Sequence, residues 1–282
     1  MRETAYAFGG EGDEWITAAA AVELAVAAID VVDDLIDGEW DGEGITQGRA
    51  SNASQALSWL AQRAILDEAP SIGVGRTLLL SRLLLTGAFD CCGGQDLDLL
   101  METNADVTEE AAHEMTLLKS GSLVAMACQI GTGLATDDAE VLSRVEAFGK
   151  HVGVIEQLLN DIYDVATAGS GGKSDLKRGK RTIPIAYALR CARDEGLEEL
   201  VTLLRQGPQL TTEQERCLSR TIAGLGGLQY SVVVADVHRK TALDIVDELI
   251  QLTAIERVSH LRRLVPALGS SSRGGLHAAA TA

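Results

Sequence analysis

Apolar positions recur at helical spacing along almost the whole chain. Between Trp15 and Asp37, Ile16, Val22, Leu24, Val26, Ile29, Val32, Leu35 and Ile36 predict one long helix, apolar on nearly every side and therefore central. A loop rich in glycine and acids follows over 38–48, and Asn52 to Leu66 returns to the helical period. "EAPSIGVG" breaks it, and Thr77 to Asp90 predicts another helix, kinked or ended by Cys91-Cys92-Gly93-Gly94. Gln95 to Met101 continues the pattern. Thr108-Glu109-Glu110 reads as a helix start with acids in the first turn, and Thr116 to Leu134 as a long apolar helix. Asp137 with Glu140 reads as a capping box for a helix running to Val165. Pro184 falls in the first turn of a helix ending near Arg193, and Thr212-Glu213-Gln214-Glu215 reads as a second capping box before two helices around "GLGG".

These elements predict an all-α fold: a single-domain bundle of about ten or more helices over 1–268. The small, polar stretch 269–282 reads as a disordered tail. Composition agrees, since Leu, Ala and Val dominate while aromatics make up 4% of the 282 residues. A net charge of −17 argues against nucleic acid as a partner, because phosphate backbones are bound by basic surfaces. The five cysteines show no zinc spacing, which fits free thiols in a reducing cytoplasm. The acidic N-terminus lacks the pattern of a signal peptide, and no uninterrupted apolar run reaches about 18 residues, so no membrane span is expected.

Charge changes the picture most at two places. Asp30, Asp33, Asp34 and Asp37 fall on one side of the first long helix, where like charges repel unless something positive faces them. "QLLNDIYD" repeats the spacing: Asn160, Asp161 and Asp164 stand at i, i+1 and i+4, as Asp33, Asp34 and Asp37 do. Two helix ends bearing oxygen ligands, each after an apolar stretch, suit hard cations such as Mg²⁺ that bridge to phosphates. A basic, glycine-containing stretch follows at once, with Lys173, Lys177, Arg178, Lys180 and Arg181, and Lys119 stands alone in "LLKSGSLVAMA". Together these features point to a ligand with a phosphate head and an apolar tail.

In family order, "DDLID", "GQDLDL", "LLKSGSLVAMACQIG", "QLLNDIYD" and "KSDLKRGKRTIPIAYAL" resemble motifs of the trans-prenyl (polyprenyl) diphosphate synthases of the class I isoprenoid synthase fold. The resemblance implies helices around a central cavity, a cytoplasmic homodimer, and about three Mg²⁺ ions at each active site. Asp33, Asp34, Asp37, Asn160, Asp161 and Asp164 would ligate metal, and Lys119, Gln157 and Lys180 would contact the diphosphate of an allylic prenyl substrate. Lys173, Gln95 and Arg49 are further substrate-binding candidates. Ala28 and Ile29, ahead of Asp33, would line the tube for the prenyl tail, with Ala28 leaving it open to long chains. The implied reaction ionises the allylic diphosphate and joins the carbocation to isopentenyl diphosphate. Three departures stand out: no Gly-Lys-Arg precedes Glu23, the arginine pair after the first motif is replaced by Gly42 and Glu43, and Asn160 replaces an aspartate. They leave two alternatives open. One is a terpene cyclase-like or peptide-prenylating (ComQ-like) enzyme that does not use isopentenyl diphosphate. The other is a non-catalytic subunit of a heteromeric synthase.

Overall fold

Helices account for every regular element among the residues described in the computed structural model, which are 1–268 apart from 11, 43, 103, 105, 171–173 and 205–209. The proposed tail, 269–282, lies outside the described residues. In chain order the helices are α1 (Arg2–Ala7), α2 (Glu14–Ile36), α3 (Gln47–Asp67), α4 (Ala69–Ile72), α5 (Val74–Glu102), α6 (Glu109–Thr116), α7 (Ser122–Gly133), α8 (Ala139–Thr167), α9 (Asp175–Arg178), α10 (Ile183–Asp194), α11 (Glu198–Leu204), α12 (Thr212–Gly224) and α13 (Gly227–Thr253). A π-turn, Leu117–Gly121, joins α6 to α7, and a 3₁₀ helix, Glu256–Leu264, follows α13.

The core is organised around α8. Near its start, Val141, Val145 and Phe148 pack against Val246 and Leu249 of α13 and Leu261 of the 3₁₀ helix. Further along, Val154 and Leu158 meet Met115 of α6 and Ile183 of α10. Val165 closes a third cluster with Leu189 and Leu218. Phe148, Ile155 and Leu158 are fully buried, so truncating any of them to Ala costs about 2–5 kcal/mol. On the other side, Ala18, Ala21, Val22 and Ala25 of α2 seat against Ile65, Leu80, Met126 and Ile130.

Several local expectations need correction. Cys91 to Gly94 does not end a helix, because α5 runs unbroken from Val74 to Glu102. The glycine serves an interhelical approach instead: a Cβ on Gly94 would lie 2.2 Å from the backbone nitrogen of Lys119. The expected single helix from Thr116 to Leu134 contains the π-turn. Asp138, rather than Asp137, caps α8, accepting from the N–H groups of Glu140 and Val141 at 2.9 and 3.0 Å. The second capping box is Thr211 with Gln214, one residue earlier than expected. By length and composition α2 is apolar enough to cross a membrane, which counting uninterrupted runs did not register. Glu23 and Asp30 interrupt it, and one of its faces packs into the core.

A chain of three histidines ties α6, α8 and α13 together. His238 lies between the other two, its Nε2 2.9 Å from His113 Nε2 and its Nδ1 2.8 Å from His151 Nδ1. Each link needs one N–H and one lone pair, so the chain is satisfied with all three rings neutral.

Candidate active site

The first acidic motif sits where α2 ends. Asp37 caps the helix, its N–H donating to the Asp33 carbonyl at 2.8 Å, and Gly38 turns the chain away at φ +69°. Carboxylates at a helix C-terminus are unfavourable against the helix dipole, so they call for cations. Three supply the charge. Lys119 donates to Asp33 at 3.1 Å, Lys180 to Asp37 at 2.8 Å, and Arg178 to the other Asp37 oxygen at 2.8 Å. Burial alone would raise the Asp37 carboxyl, but the Lys180 and Arg178 partners hold it below the usual range.

Lys180 reaches the site through a helix-ending turn. Gly179 takes a left-handed φ of +77°, its N–H donates to Leu176 and that of Lys180 to Asp175, the Schellman pattern. A side chain at 179 would be strained there. Lys119 is presented by the π-turn, a wide turn that recurs at functional positions in helices. Its backbone is held by Gly94 of α5 on one side. On the other, Gly121 lies under Gly153 of α8, whose added Cβ would stand 2.8 Å from the Gly121 Cα.

The second motif lies opposite on α8. Ser120 donates to the Gln157 carbonyl oxygen at 2.9 Å, and the Gln157 amide donates to Asp161 Oδ1 at 2.7 Å. Asp164 accepts the Asp175 N–H at 2.8 Å. Asp161 is fully buried, and its Oδ2 has no hydrogen-bond partner among the described residues. Burial pushes the Asp161 carboxyl well above the usual range, and the nearby Asp175 carboxylate adds to it. Burial and Asp164 likewise carry Asp175 up to about 7.

A cavity of about 340 Å³ reaches from Asp33 of the first motif to the second, lined by Asp33, Asp98, Asp161, Asp164 and Asp175 and by three cations, Lys119, Arg178 and Lys180, while Asp34 and Asp37 line neither it nor its neighbour. A second cavity, of about 480 Å³, lies alongside and is walled by Ala28, Ile29, Ile36, Leu99, Leu123 and Val124. The two share Asp33, Lys119, Ser120, Gln157 and Asn160, so the charged chamber and the apolar one meet there. Among the described residues no three His, Cys, Asp or Glu side chains form a ready metal cage. The donor set nevertheless fits divalent cations: five carboxylates outnumber three cations, and Asp161 keeps an unpartnered buried oxygen. A diphosphate would be repelled by that surplus unless metal ions offset it.

The other sequence candidates divide. Gln95 lines the apolar cavity with Ala28 and Ile29. Arg49 is exposed in the first turn of α3 and lines neither cavity. Lys173 lies outside the described residues. The basic stretch does not act as one ligand-facing group. Lys177 pairs with buried Glu215 at 3.2 Å, and Arg181 donates to the carbonyls of Asn104, Gly179, Lys180 and Leu204. Sequence reasoning missed Asp98, which is buried among these groups, and Asp175, which is half-buried beside them; Asp98 stood in view inside "GQDLDL".

Fold and site together define a prenyltransferase. Residues 42–221 match the polyprenyl synthetase family profile, a match that begins just after the first acidic motif, and the chain belongs to the polyprenyl synthetase family. It is 27% identical over 271 residues to a short chain isoprenyl diphosphate synthase of Methanothermobacter thermautotrophicus, covering 92% of this chain and 81% of that one. It is 26% identical over 251 residues to the tryptophan prenyltransferase ComQ of Bacillus subtilis, covering 86% of this chain and 78% of that one. In fold it is similar to a polyprenyl synthetase crystal structure from Streptomyces coelicolor, with TM-score 0.77 at 22% identity, covering 94% of this chain and 82% of that one.

Proposed function

We propose that the chain is a Mg²⁺-dependent enzyme that ionises an allylic prenyl diphosphate and condenses the cation with isopentenyl diphosphate. What carries the proposal is the meeting of a carboxylate-and-lysine chamber with an apolar one at Asp33, Lys119, Gln157 and Asn160. Asp33, Asp34 and Asp37 would hold metal from one side, and Asn160, Asp161 and Asp164 from the other. Bound metal supplies Lewis-acid charge compensation for the diphosphate. The chain's own residues do the rest. Lys119 and Lys180 turn their ammonium groups to the leaving diphosphate, whose charge grows as the C–O bond breaks, so they stabilise the transition state more than the ground state. Ser120 fixes Gln157, which fixes Asp161. Ala28, Ile29 and Leu123 keep water from the prenyl tail and the developing carbocation. The free cysteines fit a cytoplasmic setting, and a homodimer is proposed on family grounds.

A second reading has its own support: an acceptor other than isopentenyl diphosphate. The apolar cavity carries Asp30, Asp96 and Glu156 on its wall, and Lys119 is its only cation among the described residues, so this wall repels a second diphosphate. One assay separates the two. Purified protein with Mg²⁺ and geranyl, farnesyl or geranylgeranyl diphosphate is run with and without isopentenyl diphosphate. Longer diphosphates that require isopentenyl diphosphate support the first reading; hydrocarbon or alcohol from the allylic substrate alone supports the second. Silence in both, including with a tryptophan-containing acceptor peptide, would overturn them together.

A further inference from the structure

On the basis of the diphosphate-ionising role, we propose that Asp98 is a positioning residue, a fixed anionic anchor that holds Lys119 and Lys180 side by side for the leaving diphosphate. Asp98 is buried on α5, one turn after Gly94, and one of its oxygens takes both ammonium groups: Lys119 Nζ at 2.8 Å and Lys180 Nζ at 3.0 Å. Its other oxygen, Oδ1, is buried without a hydrogen-bond partner among the described residues.

The two lysines also have a second partner each, and those partners differ in kind. Lys119 touches Asp33 and Lys180 touches Asp37, the carboxylates that metal would take. When metal occupies them, each lysine gives up a first-motif partner. Asp98 is outside both acidic motifs, so it keeps its lysines. Glu102, at 2.9 Å from Lys180, steadies one of them further. Two ammonium groups this close repel unless an anion stands between them, and in a buried site that repulsion is poorly screened. Without Asp98, each lysine would fall back on its first-motif carboxylate and compete with metal for it. Asp98 thereby separates two jobs: it supplies the lysines' permanent counter-charge and leaves Asp33 and Asp37 for the cation.

The test compares Asp98→Asn and Asp98→Glu with the parent. Binding of inorganic diphosphate at saturating Mg²⁺ is read by calorimetry, turnover by kcat and KM for the allylic substrate, and folding by thermal melting. Free diphosphate resembles the leaving group in charge, so its affinity reports the lysine pair. In Asp98→Asn it falls about tenfold, or 1.4 kcal/mol. kcat falls on the order of a hundredfold while KM changes less than about threefold, since the lysines act on charge that develops in the transition state. Asp98→Glu keeps the charge and recovers diphosphate affinity to within about threefold of the parent. A folded Asp98→Asn with parental diphosphate affinity and kcat overturns the proposal, as does an equal loss in both variants. If Asp98→Asn does not fold, Asp98→Glu decides alone, and a tenfold loss there overturns it. A parent protein that binds no diphosphate with Mg²⁺ removes instead the function on which the anchor depends.

Discussion

Gly93 and Gly94 are neighbours on α5, yet replacing each with Ala should move stability in opposite directions. Both sit in a helix interior, where Ala is favoured over Gly by about 0.5–1 kcal/mol. Gly93 is exposed, and a Cβ there would meet nothing within 4 Å. Gly93→Ala should therefore stabilise by the full propensity gain, raising the melting temperature by about 1–4 °C at this chain size. At Gly94 a Cβ would stand 2.2 and 2.6 Å from the Lys119 N and Cα and 2.7 Å from the Leu118 carbonyl carbon. These are backbone atoms of the π-turn and cannot rotate aside. The overpacking cost lies near the upper end of the usual 1–3 kcal/mol, so the net effect is a loss of about 2 kcal/mol and a melting temperature lower by about 4–8 °C. The only relief is for α5 and the turn to part, which takes Lys119 off Asp33 and Asp98. Turnover should fall in Gly94→Ala and stay at the parental level in Gly93→Ala. Differential scanning calorimetry and steady-state kinetics on the pair check both points. A Gly94→Ala protein that melts at or above the parent with full turnover would refute the packing argument.

Asp161→Asn should reduce metal-dependent turnover by more than a hundredfold while the protein folds as well as or better than the parent, since a buried charge with an unpartnered oxygen is lost; a variant with wild-type kcat at ordinary Mg²⁺ would remove Asp161 from the site. Ala28 is buried beside the tail cavity, and its carbonyl accepts the Ser54 hydroxyl at 2.7 Å, so Ala28→Phe should shorten the longest product seen by chromatography; an unchanged product distribution would show that the tail lies elsewhere. Burial, then His151 and His113, pull His238 down from 6.5 to about 4. The folded state therefore favours the neutral ring, and its stabilising effect is present above pH 6.5 and lost as pH falls towards 4. The loss is at most about 3 kcal/mol for His238 alone. Urea unfolding at pH 7 and pH 4.5 should show a smaller acid loss in His238→Gln than in the parent, and identical losses would contradict the neutral histidine chain.

Much of this was readable from residue order because helical period and motif spacing are local. The course of α2, the Thr108 cap and the paired acidic motifs all follow from residues a turn or so apart. What escaped is set by contacts between elements. "CCGG" reads as a breaker on local grounds, yet Gly94 is there because another backbone crosses it. The basic stretch reads as one group, but only the fold shows that Arg181 is taken up by carbonyls and Lys177 by Glu215. Asp98 looks like any helical acid until two lysines from distant segments arrive on it. Helix N-caps slipped by one residue because Thr211 and Thr212, or Asp137 and Asp138, are chemically equivalent in sequence, and at α8 the cap is Asp138 alone, with Val141 where a box would need Glu or Gln.

The π-turn between Leu117 and Gly121 amounts to one extra residue accommodated in an otherwise regular rod. Excising a single residue there would let the rod close to ordinary pitch while everything beyond Gly121 kept its rotational phase and its neighbours. Lys119 would swing off its aim, but the bundle would still assemble. A one-codon deletion is thus a short evolutionary route from a catalyst of this architecture to an intact, chemically silent scaffold.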